Sequence, residues 1–231
     1  MLDSATTAAL ARRLYDARKS RTQLRHFSRE FPAMTIEDGY AIQREWVKLE
    51  LADGRRRIGR KIGLTSRAMQ EALKIDTPDS GVLLDDMVFQ DGATVPKNRF
   101  IQPRVEAEIA FLMARDLSGP GITREEVIAA TAHVAPALEI LDTRILRSDS
   151  ATGQARIITD TVSDNAANAG VVLGPQRHRL DSHDLRRVGA IVKRDGVVEE
   201  TGLGAGVLDD PVTGILWLVQ RLARYGQGLS A

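Results

Sequence analysis

Apolar positions recur at helical spacing through the first third of the chain and alternate in a strand-like way after it. Ser4 stands where a helix cap is expected, ahead of a segment running toward Lys19. Thr35 starts a second helix, with Asp38 three residues on in the capping-box position. Ile42, Trp46 and Leu49 then follow the helical period, and Gly54 lies just past the end. In GRKIGLTS the pattern changes: Ile62 and Leu64 alternate with Lys61, Gly63 and Thr65, as in a strand. Ser66 is placed to cap a short helix through Met69 and Leu73, and TPDSG at 77–81 has turn chemistry.

FIQPRVEAEIAFLMA at 100–114 reads as a strand with Pro103 near its beginning. Thr123 and Glu126 form a capping box before an apolar helix. HVAPALEILD at 133–142 is short enough for a buried strand. TDTVSDNAANAGVVLG at 159–174 is polar and small before it ends in a strand. Arg187 to Thr201 reads as a hairpin turning at Asp195-Gly196. Asp210 and Pro211 open a last helix that carries Ile215, Leu218 and Leu222 and closes at Gly226, after which no further strand is expected. These elements predict an α+β fold with an N-terminal helical part over 1–58 and a strand-rich catalytic core over 59–231.

Composition narrows the function classes. Hydrophobic residues make up 43% and charged residues 27% of 231 residues, an ordinary globular balance. A net charge of +1 and the absence of an aromatic-rich basic stripe argue against nucleic-acid and anionic-membrane partners. With no cysteine, disulfides, thiolate metal sites and a cysteine nucleophile are excluded. The N-terminus has no apolar signal core, and no run approaches the roughly 18 apolar residues of a membrane span, so a cytoplasmic location is expected.

The candidate chemistry is carboxylate-based. Glu106 and Glu108 are two apart on the expected strand, which puts both side chains on one face and Val105, Ala107 and Ile109 on the other. Glu139 lies inside an apolar run, where an unpaired carboxylate is costly. Spacing admits two readings: a solvated sheet face with Glu139 paired to an arginine such as Arg104 or Arg144, or one hard divalent cation serving all three acids. The histidines, His26, His133, His178 and His183, lack ligand spacing, which disfavours zinc. Lys61, between glycines in a strand, is either a surface lysine or a stabiliser of substrate negative charge. Asp79 is either a turn residue or a general acid or base. Asp164, Asn165 and Asn168 could bind a polar ligand or satisfy loop backbone, and Arg67, Arg104 and Arg144 are candidate anion holders. GLGAG at 202–206 lacks the strand–turn–helix context of a dinucleotide site.

GRKIGLTSRAMQ, IDTPDSGVLLDDM, IQPRVEAEIAF, APALEILDTRI, DTVSDNAANAGVVLG and EETGLGAGVL occur in this order. Together they resemble the bacterial hydratases of aromatic meta-cleavage pathways, in the fumarylacetoacetate hydrolase superfamily. The resemblance implies that Glu106, Glu108 and Glu139 bind Mg²⁺ or Mn²⁺ and that Lys61 and Asp79 lie in the active site. It implies a helical N-terminal part on a distorted, β-barrel-like core of the fumarylacetoacetase C-terminal type. It also implies homo-oligomers, with association with a pathway decarboxylase or aldolase as a further expectation. Family members continue beyond this chain's end with further core strands, so either the sequence lacks a tail or the terminal strands are absent. Within that resemblance, the LLDDM, SDNAANAG and ETGLGAGVL segments imply hydration of an unsaturated 2-oxo dicarboxylate in homoprotocatechuate catabolism. The alternatives are a 2-hydroxypentadienoate hydratase, a 4-oxalocrotonate-type decarboxylase, and a catalytically silent partner of a related enzyme.

Overall fold

The computed structural model describes residues 1–231, except for the side chain of Leu73. The helices are α1 (Ser4–Ser20), α2 (Phe27–Glu30), α3 (Ile36–Ala52), α4 (Arg67–Leu73), α5 (Arg124–Ala130), α6 (Ile158–Ser163) and α7 (Pro211–Ala223). The strands are β1 (Arg57–Gly63), β2 (Asp79–Leu84), β3 (Val88–Phe89), β4 (Arg104–Met113), β5 (Leu117–Ser118), β6 (Thr131–Leu141), β7 (Asn168–Leu173), β8 (Gly189–Arg194), β9 (Val197–Leu203) and β10 (Gly228–Leu229). One sheet has the order β3-β7-β6-β4, and β1-β2, β10-β5 and β8-β9 form separate pairs. The fold is α+β, and among the described residues no sheet closes into a barrel. No helix among them is long and apolar enough to cross a membrane.

The chain forms two compact units. The first comprises residues 1–61, 80–105 and 140–171. Asp3, not Ser4, caps α1: Ser4 is already helical, and the Asp3 carboxylate accepts from the Thr6 N–H at 2.7 Å. α3 starts with the expected capping box, Asp38 N–H to Thr35 Oγ1 at 3.2 Å and Thr35 N–H to Asp38 Oδ2 at 2.9 Å. The other Asp38 oxygen accepts from the Leu2 N–H at 2.7 Å and ties down the N-terminus. The apolar stripes of α1 and α3 meet in a core that includes Leu10, Leu14, Ile42 and Trp46 with Val82 and Leu84 of β2.

The TPDSG segment is not a turn. Asp79 opens β2, and Val82 and Leu84 enter the core. Gly81 serves close packing instead: a Cβ there would lie 2.6 Å from the Asn165 carbonyl oxygen. The polar segment that follows residue 158 also departs from expectation, because it begins with α6. Its N-cap position is Ile157, which has no capping side-chain oxygen, so the usual start signal is missing. Asp160 compensates by accepting from Ile157 N–H at 3.2 Å and Ser28 N–H at 2.9 Å.

After α6, Asn165, Ala166 and Ala167 are consecutively left-handed, with φ of 53°, 52° and 58°. Such residues cost about 1–2 kcal/mol each. Buried hydrogen bonds hold them in place. Val82 N–H donates to Asn165 Oδ1 at 2.7 Å, and the Asn165 and Asn168 amides donate to the Val82 carbonyl at 2.9 and 3.0 Å. Asp164 accepts from the Arg144 N–H at 2.9 Å and pairs with the Arg144 guanidinium, both residues being buried. Burial pushes the Asp164 carboxyl up, and Arg144 and Arg156 oppose that push.

The second unit comprises residues 62–79, 106–139 and 172–231. α5 has the expected Thr123–Glu126 box, and Asp210 caps α7 through the Val212 N–H at 2.9 Å. Val127, Val212 and Val219 share a core with Leu117. The chain does end on a strand: β10 pairs antiparallel with β5, Leu229 opposite Leu117. A Cβ at Gly228 would lie 2.4 Å from the Leu117 carbonyl, so this pairing requires glycine. β8 and β9 form the expected hairpin, with Asp195 and Gly196 at φ of 52° and 83° as a type I′ turn demands.

Two outcomes are expected. Asp164→Ala leaves the buried Arg144 charge without its partner and should cost about 3–5 kcal/mol in chemical denaturation. Burial pushes the Asp38 carboxyl up, but its Thr35 and Leu2 hydrogen bonds outweigh that and hold it below the ordinary 3.8. A depressed carboxyl stabilises the fold above its unfolded value and loses that contribution as pH falls through its lower folded value. The stability gap between wild type and Asp38→Asn should therefore shrink on acidification below 3.8, followed by circular dichroism; parallel pH curves would contradict it.

Candidate metal centre

Glu106 and Glu108 are two apart on β4, so strand geometry projects both from one face; burial along β4 does not alternate but rises from exposed at Arg104 to half-buried from Glu108 onward. β6 is its neighbour in the four-stranded sheet and carries Glu139, only 5% exposed. One carboxylate oxygen from each of the three glutamates lies within 4.8 Å of the others. Burial increases across the cluster, from exposed Glu106 through half-buried Glu108 to buried Glu139.

Electrostatics favours a cation at this cluster. Two carboxylates about 5 Å apart repel by about 3 kcal/mol at an effective dielectric constant of ~20. Three such repulsions are relieved together by one central cation. Around Mg²⁺, ligand oxygens at about 2.1 Å sit about 3 Å apart when adjacent and about 4.2 Å apart when opposite. The cluster is close to that size, and an all-oxygen donor set suits a hard divalent ion. Three protein ligands leave about three octahedral positions for water or a chelating substrate. Among the described residues no histidine belongs to a metal-capable group, although the His178 and His183 rings, read as far apart in the sequence, meet edge-on at 5.3 Å.

The remaining candidates separate. Lys61 is half-buried on β1, which also carries Arg57 and Arg60. Burial, and then Arg57, draw the Arg60 guanidinium down to about 10, so it stays cationic at neutral pH. Asp79 is 2% exposed at the start of β2, the strand that pairs with β1. Asp164, Asn165 and Asn168 satisfy backbone and Arg144, the structural alternative of their two readings. Arg144 is committed to Asp164 and so cannot serve as an anion holder. Arg67 makes an exposed pair with Asp209. GLGAG runs from β9 into a 3₁₀ turn, and Gly204 packs where a Cβ would lie 1.9 Å from the Leu185 carbonyl. What sequence reasoning missed is a group of arginines around Asp86; its members are scattered along the chain, and no spacing rule links them.

No family model matches the chain. It is 50% identical over 231 residues to 2-oxo-hept-4-ene-1,7-dioate hydratase of Escherichia coli, covering 100% of this chain and 86% of that one. It is 40% identical to 2-keto-4-pentenoate hydratase of Paraburkholderia xenovorans, over 96% of this chain and 80% of that one. Among solved structures it is similar to 4-oxalocrotonate decarboxylase from Pseudomonas putida G7, complexed with magnesium and adipate. The TM-score is 0.92 at 32% identity, covering 100% of this chain and 86% of that one. With likeness of that degree along its whole length, the chain belongs to the 2-keto-4-pentenoate hydratase family of the fumarylacetoacetate hydrolase superfamily.

Proposed function

We propose that this protein is a divalent-metal hydro-lyase that converts 2-oxohept-4-ene-1,7-dioate to 4-hydroxy-2-oxoheptanedioate. The observation that carries the reading is the Glu106, Glu108 and Glu139 cluster, in a chain half identical to a hydratase of that substrate. The glutamates would hold Mg²⁺, with Mn²⁺ as the other candidate. When bound, the ion supplies Lewis-acid chemistry that favours the enol form of a 2-oxo acid.

The chain's own residues account for the proton and charge movements. A proton leaves C3 and one is delivered at C5, which moves the double bond into conjugation with the ketone. Water then adds its oxygen at C4 and a proton at C3. Lys61 is the cation that stabilises the developing enolate charge. Asp79, buried at the start of β2, is the proton carrier. The assembly is a homo-oligomer in the cytoplasm.

Glu139→Gln or Glu106→Gln should abolish metal-dependent turnover and lower bound metal by elemental analysis; full activity in EDTA would sink the metal role. Asp79→Asn should lower kcat by about 10² to 10⁴ with metal content unchanged.

A decarboxylase reading has its own support in the fold shared with 4-oxalocrotonate decarboxylase. A shorter dienolate of the same kind would then form by loss of carbon dioxide from a 2-oxo-3-enedioate whose second carboxylate is carried on C5, the electrons of the broken bond passing into the dienolate. Following hydrated product on 2-oxohept-4-ene-1,7-dioate and carbon dioxide on 2-oxohex-3-enedioate separates the two. Hydration without gas release is expected, and stoichiometric carbon dioxide would overturn it.

A further inference from the structure

The first unit contains a cavity of about 310 Å³. It lies by the C-terminal end of α1 and the loop before β4, and neither the three glutamates nor Lys61 nor Asp79 lines it. Its volume falls at the lower end of the range for small-molecule pockets, about 300–1,000 Å³.

Its walls are rich in charge, and most of that charge is already paired. Arg18 forks between Glu50 and Asp86. Lys19 pairs with Asp53 at 3.2 Å. The Asp142 carboxylate accepts from the Ile101 and Gln102 N–H groups at 2.9 and 2.7 Å. Three guanidiniums remain. Arg21 donates to the Asn98 carbonyl at 2.8 Å. Arg99 donates through one nitrogen to the Asp86 carbonyl at 2.7 Å and its carboxylate at 3.3 Å. Arg55 approaches Asp86 no closer than 3.7 Å.

Arg55 and Arg99 thus share one carboxylate, Asp86, with Arg18, and Arg21 has no carboxylate partner among the described residues. Among the described residues most of their N–H groups have no protein acceptor. Like charges brought to one cavity are relieved by an anion, and the guanidinium fork matches carboxylate and phosphoryl oxygens. Phe100 and Pro96 add an apolar wall, and Arg99 stacks 5.9 Å from the Phe100 ring centroid.

We propose that this cavity binds a small anion bearing a carboxylate or phosphoryl group, held by Arg21, Arg55 and Arg99 beside Phe100. Such an anion would join the end of α1 to the loop before β4. The site is independent of the hydratase reading.

The test is calorimetric titration of the full chain in EDTA with inorganic phosphate and, separately, succinate, against chloride at matched ionic strength. EDTA removes the metal, so turnover plays no part and failure here leaves the hydratase reading untouched. One saturable site is expected. Arg21→Gln and Arg55→Gln, both at exposed positions, should each weaken it about tenfold. Arg55→Lys, which keeps the charge and loses the fork, should fall between. Arg194→Gln, on the β8–β9 hairpin, should bind like wild type. Tighter phosphate binding identifies a phosphoryl ligand, and tighter succinate binding a carboxylate. No saturable heat with either anion would overturn the proposal, as would unchanged affinity in a folded Arg21→Gln/Arg55→Gln variant.

Discussion

Three carboxylates within 4.8 Å of one another constrain everything around them. Their mutual repulsion is the kind that a single divalent cation relieves, and the strands that carry them hold them together. β4 and β6 do so as neighbouring strands of one sheet, where each glutamate's direction is set by the pleat and not by a loop. The graded burial also follows a chemical logic. Buried Glu139 anchors one side of the cluster in a low-dielectric setting, while Glu106 is exposed to water.

Much of this was legible in the sequence, because the signals were local. The Thr35 and Thr123 boxes, the Asp210-Pro211 start and the Asp195-Gly196 turn each depend on residues a few positions apart, and all four formed as read. The E-x-E pair was equally local, but its meaning was not. Only the placement of Glu139 on the adjacent strand brings a third carboxylate to the pair and makes a group that could hold a metal ion.

TPDSG and GQGLSA were misread for one cause: each depended on a partner distant in the chain. TPDSG looks like a turn until the Asn165 carbonyl is seen where a side chain at Gly81 would have to go. GQGLSA looks like a trailing end until Leu229 finds Leu117. α6 follows an apolar N-cap, Ile157, whose own N–H is accepted by Asp160 one turn inside the helix. SDNAANAG is polar enough to bind a ligand. Instead its side chains replace hydrogen bonds that the backbone of β2 would otherwise lack.

The buried Arg144–Asp164 pair has a consequence for temperature. Hydration of charged groups becomes less favourable on warming, so the penalty for burying this pair falls, whereas stabilisation per unit of apolar area levels off. The pair anchors the segment that leads into Asn165, so its share of the cohesion around that segment grows as temperature rises.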